Sequence, residues 1–241
     1  PSDETLPSQD VEKVIPAVRM MLSANELKTL KVRNNPLIAF FSEKVENRKL
    51  IAKPFTPDEI VYCKSNYLFF DSDSEEALLR EAETQIPIFN EKQGYHPHVL
   101  LMKGIGLVAA GLNAKQCKTI LDVFEDAMKV AYLAQSFGGE HPMTQTQIDF
   151  IDHWEVENYR RSVSTAKSNG RAENKTIVIT GAAQGFGEGI ARCLVKEGAN
   201  IVVADLNEET GQKTAGELNT LCSGNQVVFV KTDVTNIASL E

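Results

Sequence analysis

Three glycines and one acid carry the most legible chemistry in this chain. Gly181, Gly185 and Gly187 have the spacing G-x-x-x-G-x-G, and Asp205 follows at close to the ~20-residue separation at which an acid receives an adenosine ribose. A glycine loop opening a helix suits a pyrophosphate, since no side chain blocks the backbone and the first helical N–H groups face the anion with a partial positive charge. Gln184 and Phe186 lie within the same turn. The Asp205 carboxylate would accept from both ribose hydroxyls and repel a 2'-phosphate, and Leu206 and Asn207 supply no cation to offset that repulsion. The spacing therefore predicts NAD as cofactor, in preference to NADP. Asp233, Val234 and Thr235 are expected at the adenine edge. The competing reading is a glycine turn in an unrelated parallel sheet, with Asp205 a solvated strand end.

The elements that must position these residues alternate in type. Apolar runs at 176–180, 200–205 and 226–233 read as strands, and residues 186–198 and 208–221 read as the helices between them. Strands separated by helices of this length imply right-handed crossovers and a parallel sheet. The expected unit is the first βαβαβ half of a doubly wound Rossmann sheet.

Upstream the chemistry is sparser. His96 and His98 flank Pro97 on an expected strand, where a shared metal is weaker than the reading of surface histidines at a strand start. His153 and Glu157 stand i,i+4 on an expected helix, and Asp149, Asp152 and Glu155 read as its polar face. The acidic "DSDSEE" of 71–76 lacks the Gly and terminal Glu of a calcium loop and reads as solvated. No metal ligand is assigned.

Residues 11–30 show helical apolar spacing at Val14, Ile15, Val18, Met21 and Leu22. The run 35–44 is expected as a strand. "FTPDEIVYCKSNYLFFDSD" suggests a Thr-Pro turn, a helical or extended passage, and a strand ending in the acidic loop. Residues 96–111 read as paired strands broken around Gly104 and Gly106. Asn113 is placed to cap a long helix with Cys117, Ile120, Leu121, Phe124, Ala127, Met128 and Ala131 on its apolar face, stopped by Gly138 and Gly139. A further helix runs through Ile148, Ile151 and Trp154. Residues 1–10 are expected to be disordered, and 164–174 to form a linker between residues 1–163 and 175–241.

The 241 residues are 42% hydrophobic and 24% charged, with a net charge of -8. That balance argues against nucleic-acid and anionic-membrane partners, which require clustered Lys and Arg. A small molecule or another protein is the expected partner, and no apolar run approaches the ~20 residues of a membrane span. Cys63, Cys117, Cys193 and Cys222 form no C-x-x-C pair and fit buried thiols in a reducing cytoplasm.

From "KTIVITGAAQGFGEG" through Asp205 and Asp233-Val234, the chain resembles the short-chain dehydrogenase/reductase family. The resemblance implies that the backbone from Gln184 to Gly187 contacts the cofactor and that Asp233-Val234 flanks the adenine. The family's later motifs, including its catalytic Ser and Tyr-x-x-x-Lys, have no match, so no catalytic residue is assigned. Preceding stretches, "VIPAVRMML", "TPDEIVYCKSNYLFF", "HPHVLLMKGIGLVAAG", "FEDAMKVAYLAQSFGG" and "IDFIDHWEVENYRR", resemble in their order a class II aldolase-like domain of the rhamnulose-1-phosphate aldolase type, fused to a short-chain dehydrogenase. That family uses histidine-held zinc to polarise ketose oxygens. Here Glu59 stands where relatives often have His, and Ile105 where simpler aldolases have a His-Gly pair.

The resemblance implies an α+β aldolase-like region followed by half a Rossmann sheet, as an internal stretch of a sugar-catabolic oxidoreductase acting on a sugar or aldehyde. Zinc would belong to the intact parent. Two alternatives stay open: a polyol or sugar-phosphate dehydrogenase with a degenerate aldolase-like module, and a non-catalytic nucleotide-binding or scaffold protein. In the 3-2-1-4-5-6 strand order of the complete fold, residues 176–180 are left here as an uncovered apolar edge. Two chains are expected to pair through it. Light scattering that returns a monomer, with the 176–180 amides protected by their own chain, would refute this.

Overall fold

The computed structural model describes residues 11–23, 26–153, 170–173 and 175–240. The expectations for residues 1–10, Trp154, Glu155 and Glu157, and for most of the 164–174 linker, lie outside them. The chain divides into two compact units, one built on residues up to Thr165 and the other on those from Ala166.

In the first unit, helix α1 (Val11–Leu22) buries Val14, Val18 and Leu22. Strand β1 (Thr29–Arg33) is the next element. The apolar run 35–44 is helix α2 (Pro36–Glu43) rather than the expected strand. Asn35 caps it, its side chain accepting from the Ile38 amide, and Pro36 in the first turn has a suitable φ and no N–H to leave unbonded. Those two start signals outweigh an apolar run too short to reveal its period. Helices α3 (Val45–Lys49) and α4 (Pro57–Cys63) follow, the latter capped by Thr56 before Pro57 as Asn35 caps α2 before Pro36.

Strand β2 (Leu68–Phe70) leads through the acidic loop into helix α5 (Glu75–Gln93), which Ser74 caps. Glu75 and Glu76, expected in the loop, form the first turn of α5, where acids favour the helix dipole. Strands β3 (Val99–Met102) and β4 (Gly106–Gly111) form the expected hairpin, and helix α6 (Ala114–Ala134) buries the same seven residues that its periodicity marks. Helix α7 (Gln145–Asp152) closes the described part.

The sheet order is β1-β4-β3-β2, antiparallel except for the parallel β2–β3 pair. Both of its faces are covered. Val99, Leu101, Leu107 and Ala109 pack into one core with α2 and α6 residues, while Leu100, Met102, Val108 and Ala110 pack into another with α1 and α5 residues. Alternate side chains of a strand point to opposite faces, so burial on both sides explains why β3 and β4 read as unbroken apolar runs.

The second unit contains β5 (Thr176–Thr180), α8 (Gly185–Lys196), β6 (Asn200–Asp205), α9 (Glu208–Asn219) and β7 (Val227–Lys231). Its three strands are parallel, in the order β5-β6-β7. This is the expected βαβαβ half of a doubly wound sheet. Ile201, Val203 and Val227 are buried in a core shared with Ala191 and Val195 of α8 and Ala215 and Leu218 of α9. The opposite face presents Val178, Val202 and Val228 in register, and Val178 is 63% exposed. Among the described residues, no helix is long and apolar enough to cross a membrane.

Phe124 is fully buried at the centre of the first core, with its ring edge-on to Tyr67 at 4.8 Å. Truncating such a side chain forfeits its transfer energy and leaves a cavity. Phe124→Ala should lower stability by about 3–5 kcal/mol. Urea unfolding followed by a signal from the first unit would measure the loss.

Candidate functional site

The glycine loop occupies the carboxy-terminal end of β5, where an open parallel sheet binds its ligands. Gly181 and Gly185 have φ of 65° and 66°, a left-handed conformation that an L side chain rarely adopts, with open space where each Cβ would stand. Gly187 is constrained differently: a Cβ there would lie 2.3 Å from the Gly181 carbonyl oxygen. Only glycine lets α8 start this close to the strand end. Gln184 holds the N-cap position of α8 in extended backbone, without a side-chain cap bond. The first-turn amides of a helix have no intrahelical acceptor, so this turn offers donors to an anion. Phe186, in that turn, is 95% exposed.

Asp205 ends β6 beside the loop. One carboxylate oxygen accepts from the Ala183 amide at 3.0 Å and the other from the Asn207 amide, also at 3.0 Å. The acid is thus fixed against the glycine loop and retains lone pairs for further donors. Leu206, next in sequence, is exposed. At the end of β7, Asp233 accepts from both the hydroxyl and the amide of Thr235, which hold its carboxyl below the usual range. Its own amide donates to Ser239 Oγ at 2.9 Å, and Val234 is exposed. Gly181, Gln184, Gly185, Phe186, Gly187, Asp205, Leu206, Asp233 and Val234 therefore all belong to the loops, strand ends or first turn of α8 at the carboxy-terminal edge of this sheet.

Sequence reasoning missed Thr214. This side chain is buried on α9 and its hydroxyl donates to the Ala183 carbonyl at 2.7 Å. The available signal was a single hydroxyl among Gly211, Ala215 and Leu218, the other buried residues of that helix.

The first unit corrects several expectations. His96 and His98 lie in the loop before β3 and not on a strand. The His98 Nδ1 is 3.0 Å from the Tyr62 carbonyl oxygen, and burial, aided by Lys28, lowers the His96 pKa. His153 terminates α7, with its Nδ1 2.7 Å from the Asp149 carbonyl oxygen. The acidic loop is exposed at Asp71 and Asp73, as expected, and is also anchored: Asp71 pairs with Arg48, Asp73 with Lys103, and Glu81 accepts from the Asp71 and Ser72 amides. Among the described residues, no three His, Cys, Asp or Glu side chains gather as a metal site. All four cysteines are free, but only Cys63 and Cys117 are buried; Cys193, on the outer side of amphipathic α8, is exposed.

Glu59 is the exceptional acid. Its side chain is 2% exposed on α4, accepting from the Phe55 amide at 2.8 Å. Burial raises its pKa to about 7, and the Phe55 bond offsets this in part. Burial, reinforced by the Glu59 charge, also drives the Cys63 thiol and Tyr67 phenol upward. Ile105 is a core residue between β3 and β4.

With this geometry in place, two family models match parts of the chain. Residues 175–241 match the family model for short chain dehydrogenase. The second unit is similar to short-chain dehydrogenases. Residues 90–160 match the model for aldolase class II, second domain. An uncharacterized oxidoreductase of Bacillus subtilis (strain 168), YuxG, is 30% identical over 172 residues, covering 71% of this chain and 24% of that protein. Oxidoreductase UcpA of Salmonella typhimurium is 43% identical over 72 residues, or 30% of this chain and 26% of its own. Sorbitol dehydrogenase of Cereibacter sphaeroides is 38% identical over 71 residues, with 30% and 26% covered. The chain spans about a quarter of the length of these relatives.

The Glu59 environment sets a pH dependence. An unfolded chain releases this proton near the ordinary glutamate value of 4.5, whereas the folded chain retains it to about 7. Between those values the native state binds more protons, so stability falls as pH rises. Glu59→Gln should match the wild type below pH 4.5 and exceed it above pH 7 by on the order of 3 kcal/mol. Paired denaturation series at pH 4.5, 6 and 8 would test this, and parallel curves would refute it.

Proposed function

We propose that this chain forms part of an NAD-dependent oxidoreductase of sugar catabolism, in which an aldolase-like unit precedes a short-chain dehydrogenase unit. The observation that carries the reading is the Asp205 carboxylate held 3.0 Å from the Ala183 amide of the glycine loop. It brings an acceptor for ribose hydroxyls and a loop suited to pyrophosphate to one strand end. The residues fit a dinucleotide on their own geometry. Gly181 and Gly185 leave the backbone bare, the first turn of α8 offers amides, and Asp205 supplies a negative charge that disfavours a 2'-phosphate. Phe186, Leu206 and Val234 offer exposed apolar surface, and Asp233 lies just beyond the end of the neighbouring strand β7. A bound nicotinamide supplies a hydride acceptor for oxidation of an alcohol.

The reading takes a small sugar or aldehyde as substrate, with no nucleic-acid or membrane partner, in the cytoplasm. It includes a homo-oligomer, which the edge position of β5 and the exposure of Val178 support. Its domain limits are 1–163 and 175–241, joined by a linker at 164–174. In the intact parent, the first unit would cleave a deoxyketose phosphate. The described residues provide no three-ligand set for zinc, so no step is assigned to that metal. A second reading, a sugar or polyol dehydrogenase whose aldolase-like unit serves assembly alone, is favoured by Glu59 and Ile105. By the resemblance, relatives often have His at the position of Glu59 and simpler aldolases a His-Gly pair at that of Ile105, and both residues are buried here.

Calorimetry on the full-length protein tests the reading. NAD should bind more tightly than NADP, and Asp205→Ala should weaken NAD by about 10–100-fold while narrowing that preference. Equal affinity of the wild type for the two cofactors would remove the role given to Asp205.

A further inference from the structure

We propose that Thr214 is a positioning residue for the dinucleotide site, its buried hydroxyl setting the conformation of the glycine loop from the neighbouring helix. The inference rests on the cofactor reading above and extends it to a residue outside the loop and the strand ends.

A hydroxyl on the buried face of α9 is costly unless bonded. Thr214 is 5% exposed beside Ala215 and Leu218. Its partner is the Ala183 carbonyl at 2.7 Å, while the Ala183 amide donates to Asp205 at 3.0 Å. These two groups belong to the consecutive peptide planes on either side of one Cα. Restraining both planes restrains φ and ψ of Ala183, and with them the direction in which Gln184 and Gly185 leave to start α8. Ala183 is itself 2% exposed, so the restraint acts on a packed residue.

The helix carrying Thr214 is in turn held against the sheet. A Cβ at Gly211 would lie 2.2 Å from the Phe229 ring, so α9 sits on β7 with no allowance for a side chain there. Thr214, three residues on, is therefore carried at a fixed height beneath the loop. Without its hydroxyl, the Ala183 carbonyl loses its bond, the Ala183–Asp205 contact loses its second anchor, and both the loop amides and the carboxylate become less preorganised for a ligand.

The test uses Thr214→Val, which keeps shape and removes the hydroxyl, and Thr214→Ser, which restores it. Leu218→Val serves as a control that loosens the same helix face without touching the loop. In the full-length protein, Thr214→Val should weaken NAD about tenfold and speed amide exchange at Ala183 about tenfold. Thr214→Ser should return both to within about twofold of wild type, and Leu218→Val should lower the melting temperature while leaving NAD affinity unchanged. The proposal is overturned if Thr214→Val binds NAD as the wild type does, if Thr214→Ser fails to rescue, or if Leu218→Val weakens NAD equally. If the wild type binds no NAD, the cofactor reading fails by itself, and exchange at Ala183 then decides. Faster exchange in Thr214→Val upholds the hold on the loop, and unchanged exchange removes it.

Discussion

The second unit depends on one close approach, that of the first turn of α8 to the Gly181 carbonyl, which leaves no room for a Cβ at Gly187. Once the helix starts there, the turn from β5 must be tight, and it is tight because Gly181 and Gly185 adopt left-handed backbone. The same turn delivers the Ala183 amide to Asp205, joining the ends of two adjacent strands. Sterics thus set the path of the loop, while hydrogen bonds hold a path already imposed.

The first unit solves a different problem. Its central hairpin is buried on both faces, so β3 and β4 contribute side chains to two separate cores. Such a sheet has little tolerance for polar residues at its centre, and its chemistry is displaced to the helices and loops around it. Glu59 shows the cost: on α4 an acid is accommodated in the interior with one backbone donor, and its proton is held more strongly as a result.

Much of this was legible in the sequence where a period ran long enough to be read. The seven buried residues of α6 follow from helical spacing alone, and the alternation of strands and helices after residue 175 follows from apolar runs of strand and helix length. The nine residues assigned to the dinucleotide site lie at one edge of one sheet because the motif specifies a strand, a turn and a helix as well as residue types. The run 35–44 reads as a strand yet folds as a helix because its apolar stretch, Leu37 to Phe41, is short enough to suit either period, and Asn35-Pro36 is a stronger signal than the run. Helix α5 has no clear signature in the sequence because its apolar positions, Leu78, Ala82, Ile86 and Phe89, are diluted by charged residues and interrupted by Pro87. The pairing of β1 with β4 has no local signature. Thr214 could not be read as a loop contact, since its spacing says only which face it occupies.

Strand connectivity also distinguishes how the units can form during synthesis. In the second unit each strand pairs with its nearest predecessor in the chain, so β6 and β7 each find a finished partner as they leave the ribosome. In the first unit, Thr29 pairs with Gly111. At roughly 5–20 residues per second, β1 waits on the order of 4–16 seconds for its partner to be made. Throughout that interval its backbone donors and acceptors have water, or whatever holds nascent chains, as their company.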